Sequence, residues 1–594
     1  MQHKFLISSI IFSICFVPVF AQNNNEDTYN ENVIVTGSYK PVITMQEKIN
    51  VAPTITDTAS TLQHKFSYNI SPIRLNSFYE PSRIKAANII GEPRSRLYNS
   101  YIRLGLGNYW TPLLDAYYNS TTSKNLNYGA KVGHLSSWGT IGDKDVPEEY
   151  YGANHYSMTD VTLFGKYIYK DKLQFSTDLS YQSDYNLYYG FSDSTLQSHN
   201  LTRDDIRKKD YHTTYNFLSW NGGVKKIINE GVGYEAYVNV ANLWATYGRN
   251  EFNLNINGAV SYRFKINRTL QPLVVLRLRI GEYDQKIAAD SDHPLGYLGG
   301  NLPNEQHWQR GYYNINPYAT QTLAGFNLHL GFKALVDQFT TPNDASFYMI
   351  PDITVGRNFL KDRLGLTIGA IGDATPESWN AIRLKNPYSD PFSTSKLTRH
   401  YEFFAQARYQ ISKKLEFNLR GSYNLWHNYL AFRLSNSYLF NNIFQPKYED
   451  FSQFVLQGDI AFINDEILTA EIGGTYYTGS GIEPDTLPGL YHPSFDAHLN
   501  IHLNYNDKIY VHLQGLLLSK LAADFTYDTE KEKYVTTVTL PMRYGINLMV
   551  EYRYSRALSF FLKADNLAFQ RYYYWQNYPS QKALFMVGLT YTIH

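Results

Sequence analysis

From residue 98 to the end of the chain, apolar and polar residues alternate with a period of two. Between residues 495 and 505 every second residue is apolar, and those in between are Asp, His or Asn. Residues 415–425 and 326–332 show the same alternation. Because successive side chains of a β-strand point to opposite faces, each segment predicts a strand with one apolar and one polar face.

The connections between these segments alternate between short and long. The short ones are charged turns at residues 170–172, 361–363, 412–414, 464–466, 506–508 and 554–556. The long ones lie near residues 135–156, 183–209, 283–306, 372–397 and 430–447. A soluble β-sandwich also shows alternating strands. Sorting of connections by length is typical of outer-membrane barrels, which have short periplasmic turns and long extracellular loops.

The pattern therefore predicts an all-β fold, a transmembrane antiparallel β-barrel over residues 98–594. Candidate strands number about 22, an even number, with 16 to 20 as the alternative. In lipid every backbone N–H and C=O needs a partner, so the sheet must close on itself. The apolar face would contact outer-membrane lipids. The polar face would line the lumen, with predicted lining residues Arg408, Arg420, Glu471, His498 and His502.

Composition supports this class of protein. Aromatic residues make up 16% of the chain, 53 of them Tyr, which excludes a disordered chain. The many Tyr and Trp suit aromatic girdles at the two membrane interfaces. Lys and Arg number 54 against 53 Asp and Glu, without the basic excess of a nucleic-acid binder, so no nucleic-acid partner is expected.

Residues 1–21 have the features of a signal peptide. Lys4 provides the positive start, an apolar stretch follows, and small residues end at Ala21. The alternative is an N-terminal membrane anchor, for which the apolar run is short. The only cysteine, Cys15, lies inside this segment, so the mature chain would contain neither thiol nor disulfide. We expect export to the outer membrane of a Gram-negative bacterium.

The end of the chain carries the most specific pattern. Phe585, Val587, Leu589, Tyr591 and Ile593 alternate with smaller or more polar residues. This resembles the C-terminal signal by which the barrel assembly machinery recognises outer-membrane barrels, although His594 replaces the usual terminal Phe. Together with residues 565–579, the stretch resembles the last hairpin of TonB-dependent receptors. An unrelated barrel with a similar last strand is the alternative.

A second resemblance lies near the N-terminus. Val33, Ile34, Val35 and Thr36 resemble a TonB box, the extended segment that pairs with the energising protein TonB by strand addition. The alternative is a flexible tail with one β-prone run. In the receptor family a globular plug follows this box, and such a domain usually has about 100–150 residues.

Residues 22–97 offer only 76 residues for a plug and show little sign of a mixed α/β core. The chain thus resembles a receptor-type barrel without a conventional plug, as is typical of Bacteroidota. We expect residues 22–97 to be a short irregular periplasmic or lumenal segment, with both termini in the periplasm. A wide polar lumen needs an occupant. The candidates are residues 22–97, long loops folded over the mouth, or a partner protein.

Three functions fit these features. The first, which the missing plug favours, is a structural or docking subunit of an envelope complex with partner envelope proteins or lipoproteins. The second is a TonB-coupled uptake receptor, and the third is a passive diffusion channel. No catalytic set, metal site or cofactor is expected. His498 and His502 lie four residues apart on one strand face, about 13 Å from each other, which is too far for shared metal coordination.

Overall fold

A computed structural model describes residues 99–593. The description leaves gaps at residues 121–122, 140–153, 192, 203–204, 206–210, 228–230, 247, 268, 288–305, 340–343, 390–394, 436–440, 465–466, 482–489 and 529–532. The predicted signal peptide, the segment 22–97 with its TonB-box-like residues, and His594 lie outside the described residues. Neither helix among the described residues has the length and apolar character needed to cross a membrane.

The described residues form 26 strands and two short helices. The strands are β1 (Ser100–Gly107), β2 (Thr111–Asn119), β3 (Leu126–Ser137), β4 (Tyr156–Tyr169), β5 (Leu173–Leu187), β6 (His212–Lys226), β7 (Val232–Ala245), β8 (Arg249–Arg263), β9 (Leu273–Ile287), β10 (Gln306–Leu323), β11 (Phe326–Phe339), β12 (Asp344–Phe359), β13 (Leu364–Pro376), β14 (Leu397–Ser412), β15 (Leu415–Leu434), β16 (Phe444–Asn464), β17 (Leu468–Gly481), β18 (Phe495–Tyr505), β19 (Ile509–Leu518), β20 (Leu521–Asp528), β21 (Lys533–Leu540), β22 (Arg543–Arg553), β23 (Leu558–Asp565), β24 (Tyr573–Trp575), β25 (Tyr578–Pro579) and β26 (Leu584–Ile593). The helices are α1 (Asp193–Ser198) and α2 (Trp379–Lys385).

Twenty-two of these strands form one closed antiparallel sheet. Strands β1 to β19 follow in chain order, then β22, β23 and β26, and β26 pairs with β1 to close the ring. At this junction Ser100 lies opposite Ile593, and Gly105 lies opposite Gly588. The prediction of a barrel with 22 strands is confirmed, and the alternative of 16 to 20 strands is not.

The two faces of the sheet differ as the alternation predicts. Large apolar side chains alternate along the outer face and stay exposed, for example Val587 at 61% and Ile368 at 60%. Polar and charged side chains occupy the inner positions between them. An exposed apolar face of this extent suits contact with lipid hydrocarbon rather than water.

The turns and loops are sorted between the two ends of the barrel. Short turns close most of one end, for example residues 170–172 and 506–508. Lys170, Asp171, Asn506 and Asp507 in these turns have positive φ, as the favoured hairpin turns require. The first described residue, Asn99, directly precedes β1 and lies at this end together with the end of β26. The neighbouring strands β2 and β23 also have their turns to β3 and β22 at this end. The opposite end carries the long connections, which include α1, α2 and the hairpins β20–β21 and β24–β25.

Several strands are longer than the ten residues expected from the sequence. β15 has 20 residues, β16 has 21 and β10 has 18. β15 and β16 stay paired as far as Leu434 and Phe444, beyond the exposed apolar positions of the outer face. Backbone pairing continues there because N–H and C=O groups need hydrogen-bond partners along the whole strand, also beyond the part whose outer face is apolar.

Candidate functional site at the covered mouth

Four long connections meet over the lumen at the long-loop end. They span residues 188–211, 377–396, 435–443 and 566–583 and join strands from separate parts of the barrel wall. Their buried aromatic side chains, together with Phe444 at the start of β16, form a group that we call the mouth cluster: Tyr188, Tyr189, Phe191, Tyr211, Trp379, Tyr388, Phe444 and Tyr578. The cluster covers the mouth with the chain's own loops, one of the occupants that the sequence allowed.

Three tyrosines form the centre of the mouth cluster. The ring of Tyr578 stacks on Tyr388 at a centroid distance of 4.0 Å and meets Tyr189 edge-on at 4.7 Å. The Tyr578 hydroxyl donates to the backbone carbonyl of Asn442 at 2.5 Å. Burial raises the pKa of Tyr189 and Tyr578 well above the usual value for a phenol. Both phenols therefore stay protonated and serve as hydrogen-bond donors.

Helix α2 holds one of these connections against distant strands of the inner wall. Ser378 caps its first turn by accepting from the Ala381 amide. The carboxylate of Glu251, on β8, accepts from the backbone amide of Trp379 at 2.6 Å. It also accepts from the side-chain amides of Asn253 and Gln285. A negative charge at a helix start is favourable because the free N–H groups there point toward it.

The same helix carries a buried ion pair. The Arg383 guanidinium donates to the carboxylate of Asp184 on β5, and their side chains are 2% and 9% exposed. The guanidinium also lies over the Tyr215 ring, 5.4 Å from its centroid. A connection between β13 and β14 is thus bound to β5 and β8, which shows that it reaches across the mouth.

Two of the predicted lumen-lining residues are arginines in ion pairs on the inner face. Arg420 lies 2.8 Å from Glu402 and also donates to Gln406, and its guanidinium covers the Phe404 ring at 3.7 Å. Arg408 pairs with Glu416 at 2.6 Å in a more exposed position. Both pairs join the neighbouring strands β14 and β15, so they stabilise the barrel wall as well as line the lumen.

The other three predicted lining residues belong to a histidine-rich patch on β16 to β19. Glu471 lies 3.5 Å from His498, and Asp459 of β16 completes a group of three. His502 stacks on His512, directly opposite on β19, at a centroid distance of 4.0 Å. Asp459 and His512 could not be predicted as partners from the sequence, because they become neighbours only once the register between strands is known.

The predicted C-terminal signal residues all lie on the outer face of β26. Phe585, Val587, Tyr591 and Ile593 are exposed there, and Leu589 is half-buried. Their apolar side chains therefore point to the side where lipid is expected. Their recognition by the barrel assembly machinery stays a prediction.

Comparison with known proteins shows the fold. No family model matches the chain, and no curated protein matches it. Among solved structures, a ferric enterobactin receptor from Pseudomonas aeruginosa is similar at a TM-score of 0.60 and 12% identity, over 83% of this chain and 81% of that one. The pyoverdine outer membrane receptor FpvA of the same species gives 0.60 and 10%, over 84% and 79%.

The FrpB iron transporter from Neisseria meningitidis is similar in the same way, with a TM-score of 0.62 and 10% identity over 84% of this chain and 82% of that one. At this level of identity the likeness concerns the fold alone. The closed 22-strand barrel of this chain is therefore similar in fold to these two receptors and to this transporter.

Proposed function

We propose that the protein is an outer-membrane uptake receptor that is coupled to TonB. The observation that carries this proposal is the mouth cluster, in which four connections pack together over a wide polar lumen. The barrel fold shared with outer-membrane receptors supports it. In this proposal the long-loop end faces the outside, and the short-turn end, with both termini, faces the periplasm.

A covered mouth favours coupled uptake over passive diffusion. A barrel of this strand number is wide, so a passive channel would need only an unobstructed lumen. Here rings such as Tyr189, Tyr388 and Tyr578 are almost fully buried against one another. Separating these rings would expose apolar surface to water, at a free-energy cost of about 25 cal/mol per Å². A solute can therefore pass only if its own binding or an external source supplies that free energy.

TonB is the proposed source of that energy, and Val33–Thr36 is its proposed contact. β1 begins at the short-turn end, so the preceding part of the chain joins the barrel there. Strand addition uses backbone N–H and C=O groups of the added segment. We further propose that the signal peptide 1–21 directs export and that residues 22–97 lie in the periplasm or the lumen.

One backbone substitution tests the coupling. In Ile34→Pro the segment loses a backbone N–H, which weakens strand addition, whereas Ile34→Ala keeps it. The purified full-length protein should capture the periplasmic domain of TonB as wild type and as Ile34→Ala, and should lose it as Ile34→Pro. Equal capture by all three proteins would contradict the proposal.

The alternative function, a docking subunit of an envelope complex, predicts a stable partner protein and needs a test of its own. If uptake is the barrel's function, affinity purification in mild detergent should recover the barrel with no envelope partner other than TonB. Recovery of a different envelope protein, or of a lipoprotein, in equal amount would favour the docking function instead.

A further inference from the structure

Three inner-face residues lie in one row across three neighbouring strands. Asp459 on β16 pairs with Gly473 on β17, and Gly473 pairs with His498 on β18. Glu471 is the adjacent inner-face residue on β17, two residues before Gly473. The row thus places a carboxylate and an imidazole on either side of a glycine, with a second carboxylate beside them.

Gly473 lets the outer two residues approach each other. Strands two positions apart are separated by about 9.6 Å, so side chains on them meet only by leaning over the strand between. A Cβ at position 473 would lie 2.6 Å from His498 Cε1 and 2.8 Å from Asp459 Oδ1. The space above the glycine is therefore filled by these two side chains.

The potential ligand atoms are already close together. One atom from each of Asp459, Glu471 and His498 lies within 4.8 Å of the other two, and His498 Nε2 is 3.5 Å from Glu471 Oε1. Ligands about 2.0–2.2 Å from a tetrahedral metal ion are about 3.4 Å apart. The His498–Glu471 pair already has this spacing. The widest pair needs to close by about 1.4 Å at most, which is within the reach of side-chain rotation.

We propose that Asp459, Glu471 and His498 bind one divalent transition-metal ion such as Zn²⁺. One imidazole nitrogen and two carboxylate oxygens form a donor set that suits Zn²⁺ better than Ca²⁺ or Mg²⁺, which prefer oxygen ligands alone. Water completes the coordination, because the side chains of His498 and Glu471 are 27% and 46% exposed. Gln457 donates to Asp459 at 3.4 Å and orients that carboxylate.

This site does not depend on the proposed uptake function, since it is defined by the inner wall alone. A bound ion would join β16, β17 and β18 through their side chains. It would also offset the negative charges of the Asp459 and Glu471 carboxylates on the lumen wall.

The test is zinc binding by the full-length barrel, purified in detergent with a histidine-free tag and stripped with a chelator. Titration calorimetry with Zn²⁺ alone, together with mass spectrometry of bound zinc, should give one ion per barrel. Glu471→Gln and His498→Asn should each weaken binding at least roughly tenfold. Gly473→Leu should do the same by pushing the imidazole and the Asp459 carboxylate apart.

A matched control is present on the same inner face. His329 pairs with Asp352 at 3.1 Å across β11 and β12, so His329→Asn removes one inner-face histidine that is paired with a carboxylate. It should leave zinc affinity unchanged. The heat-dependent gel mobility of a folded barrel verifies each variant. Absence of stoichiometric zinc, unchanged affinity in Glu471→Gln, or an equal loss in His329→Asn would each overturn the proposal.

Discussion

The Tyr189 hydroxyl donates a hydrogen bond of 3.0 Å to the backbone carbonyl of Pro579, 390 residues further along the chain. Tyr189 follows β5, and Pro579 belongs to the small strand β25 between β23 and β26. The bond ties two connections that leave different parts of the barrel wall. The cover of the mouth is thus a tertiary structure in its own right, built from loops that local sequence does not bring together.

The first prediction concerns Gly190, next to this bond. Its φ is +79°, and a Cβ there would overlap with the backbone carbonyl oxygen of Asn577. Gly190→Ala should therefore separate the connection 188–211 from the connection 566–583. Limited proteolysis should show faster cleavage within residues 566–583, and planar bilayers should show a higher conductance for Gly190→Ala than for the wild type.

Gly231 provides the control for that variant. Its φ is +73°, but a Cβ there would meet nothing within 4 Å. Gly231→Ala should cost only the backbone strain of about 1–2 kcal/mol and leave the mouth covered. Similar cleavage and conductance in the two variants would show that strain, not the packing of the mouth, causes the effect.

The second prediction concerns the buried pair of Arg383 and Asp184. Asp184→Asn leaves a buried guanidinium without its counter-charge, which costs about 3–5 kcal/mol. Hydrogen exchange of the amides in α2 should become correspondingly faster. The double variant Arg383→Met with Asp184→Leu should restore most of the protection, since neither charge is then buried.

The exposed pair of Arg408 and Glu416 is the matching control. Glu416→Gln should cost about 0–1 kcal/mol at most, because water screens exposed pairs. If Asp184→Asn changed exchange no more than Glu416→Gln does, the pair would not hold α2 in place.

The sequence predicts the barrel well because the signals for a strand are local. Alternation in residues 495–505 and the turn at Asn506 and Asp507 both lie within a few residues and need no knowledge of partners. The inner and outer faces follow from the same alternation. Arg420, Glu471 and His498 are found on the predicted face for this reason.

The covered mouth and the group of three ligands could not be predicted in the same way. Glu251 and Trp379 make contact although they lie in different strands and loops, 128 residues apart. Asp459 and His498 meet only because both lie opposite Gly473, and that register follows from the lengths of several turns. Contacts of this kind depend on how loops pack, and no periodic pattern records them.

The third prediction is a pH dependence at His492, in the connection between β17 and β18. Its ring packs among Tyr429, Phe451 and Tyr477. Burial lowers its pKa from the ordinary 6.5, although the Pro493 carbonyl and Asp496 act in the opposite direction. The packed ring is therefore neutral, while a ring exposed by local opening takes up a proton more readily.

The sign of the effect follows from proton binding. Where the opened loop binds more protons than the closed one, stability falls with falling pH. Local opening should become more frequent as the pH drops from 6.5 toward the lowered pKa of His492, and level off below it. Hydrogen exchange around residues 490–494 measures this, and His492→Gln should lose the dependence. A slope that persists unchanged in His492→Gln would assign it to another group.

The last prediction concerns closure of the barrel between β1 and β26. A Cβ at Gly588 would overlap with the backbone carbonyl oxygen of Leu104 and with the Phe561 ring. The Phe561 ring can rotate away, but the paired backbone carbonyl of Leu104 cannot, so Gly588→Ala should hinder pairing of the two strands.

Gly545→Ala on β22, where a Cβ would meet nothing within 4 Å, is the control. Heat-dependent gel mobility should show less closed barrel for Gly588→Ala alone, although its outer-face signal residues are unchanged. Equal yields of closed barrel from both variants would mean that β26 and β1 close without the tight fit seen at Gly588.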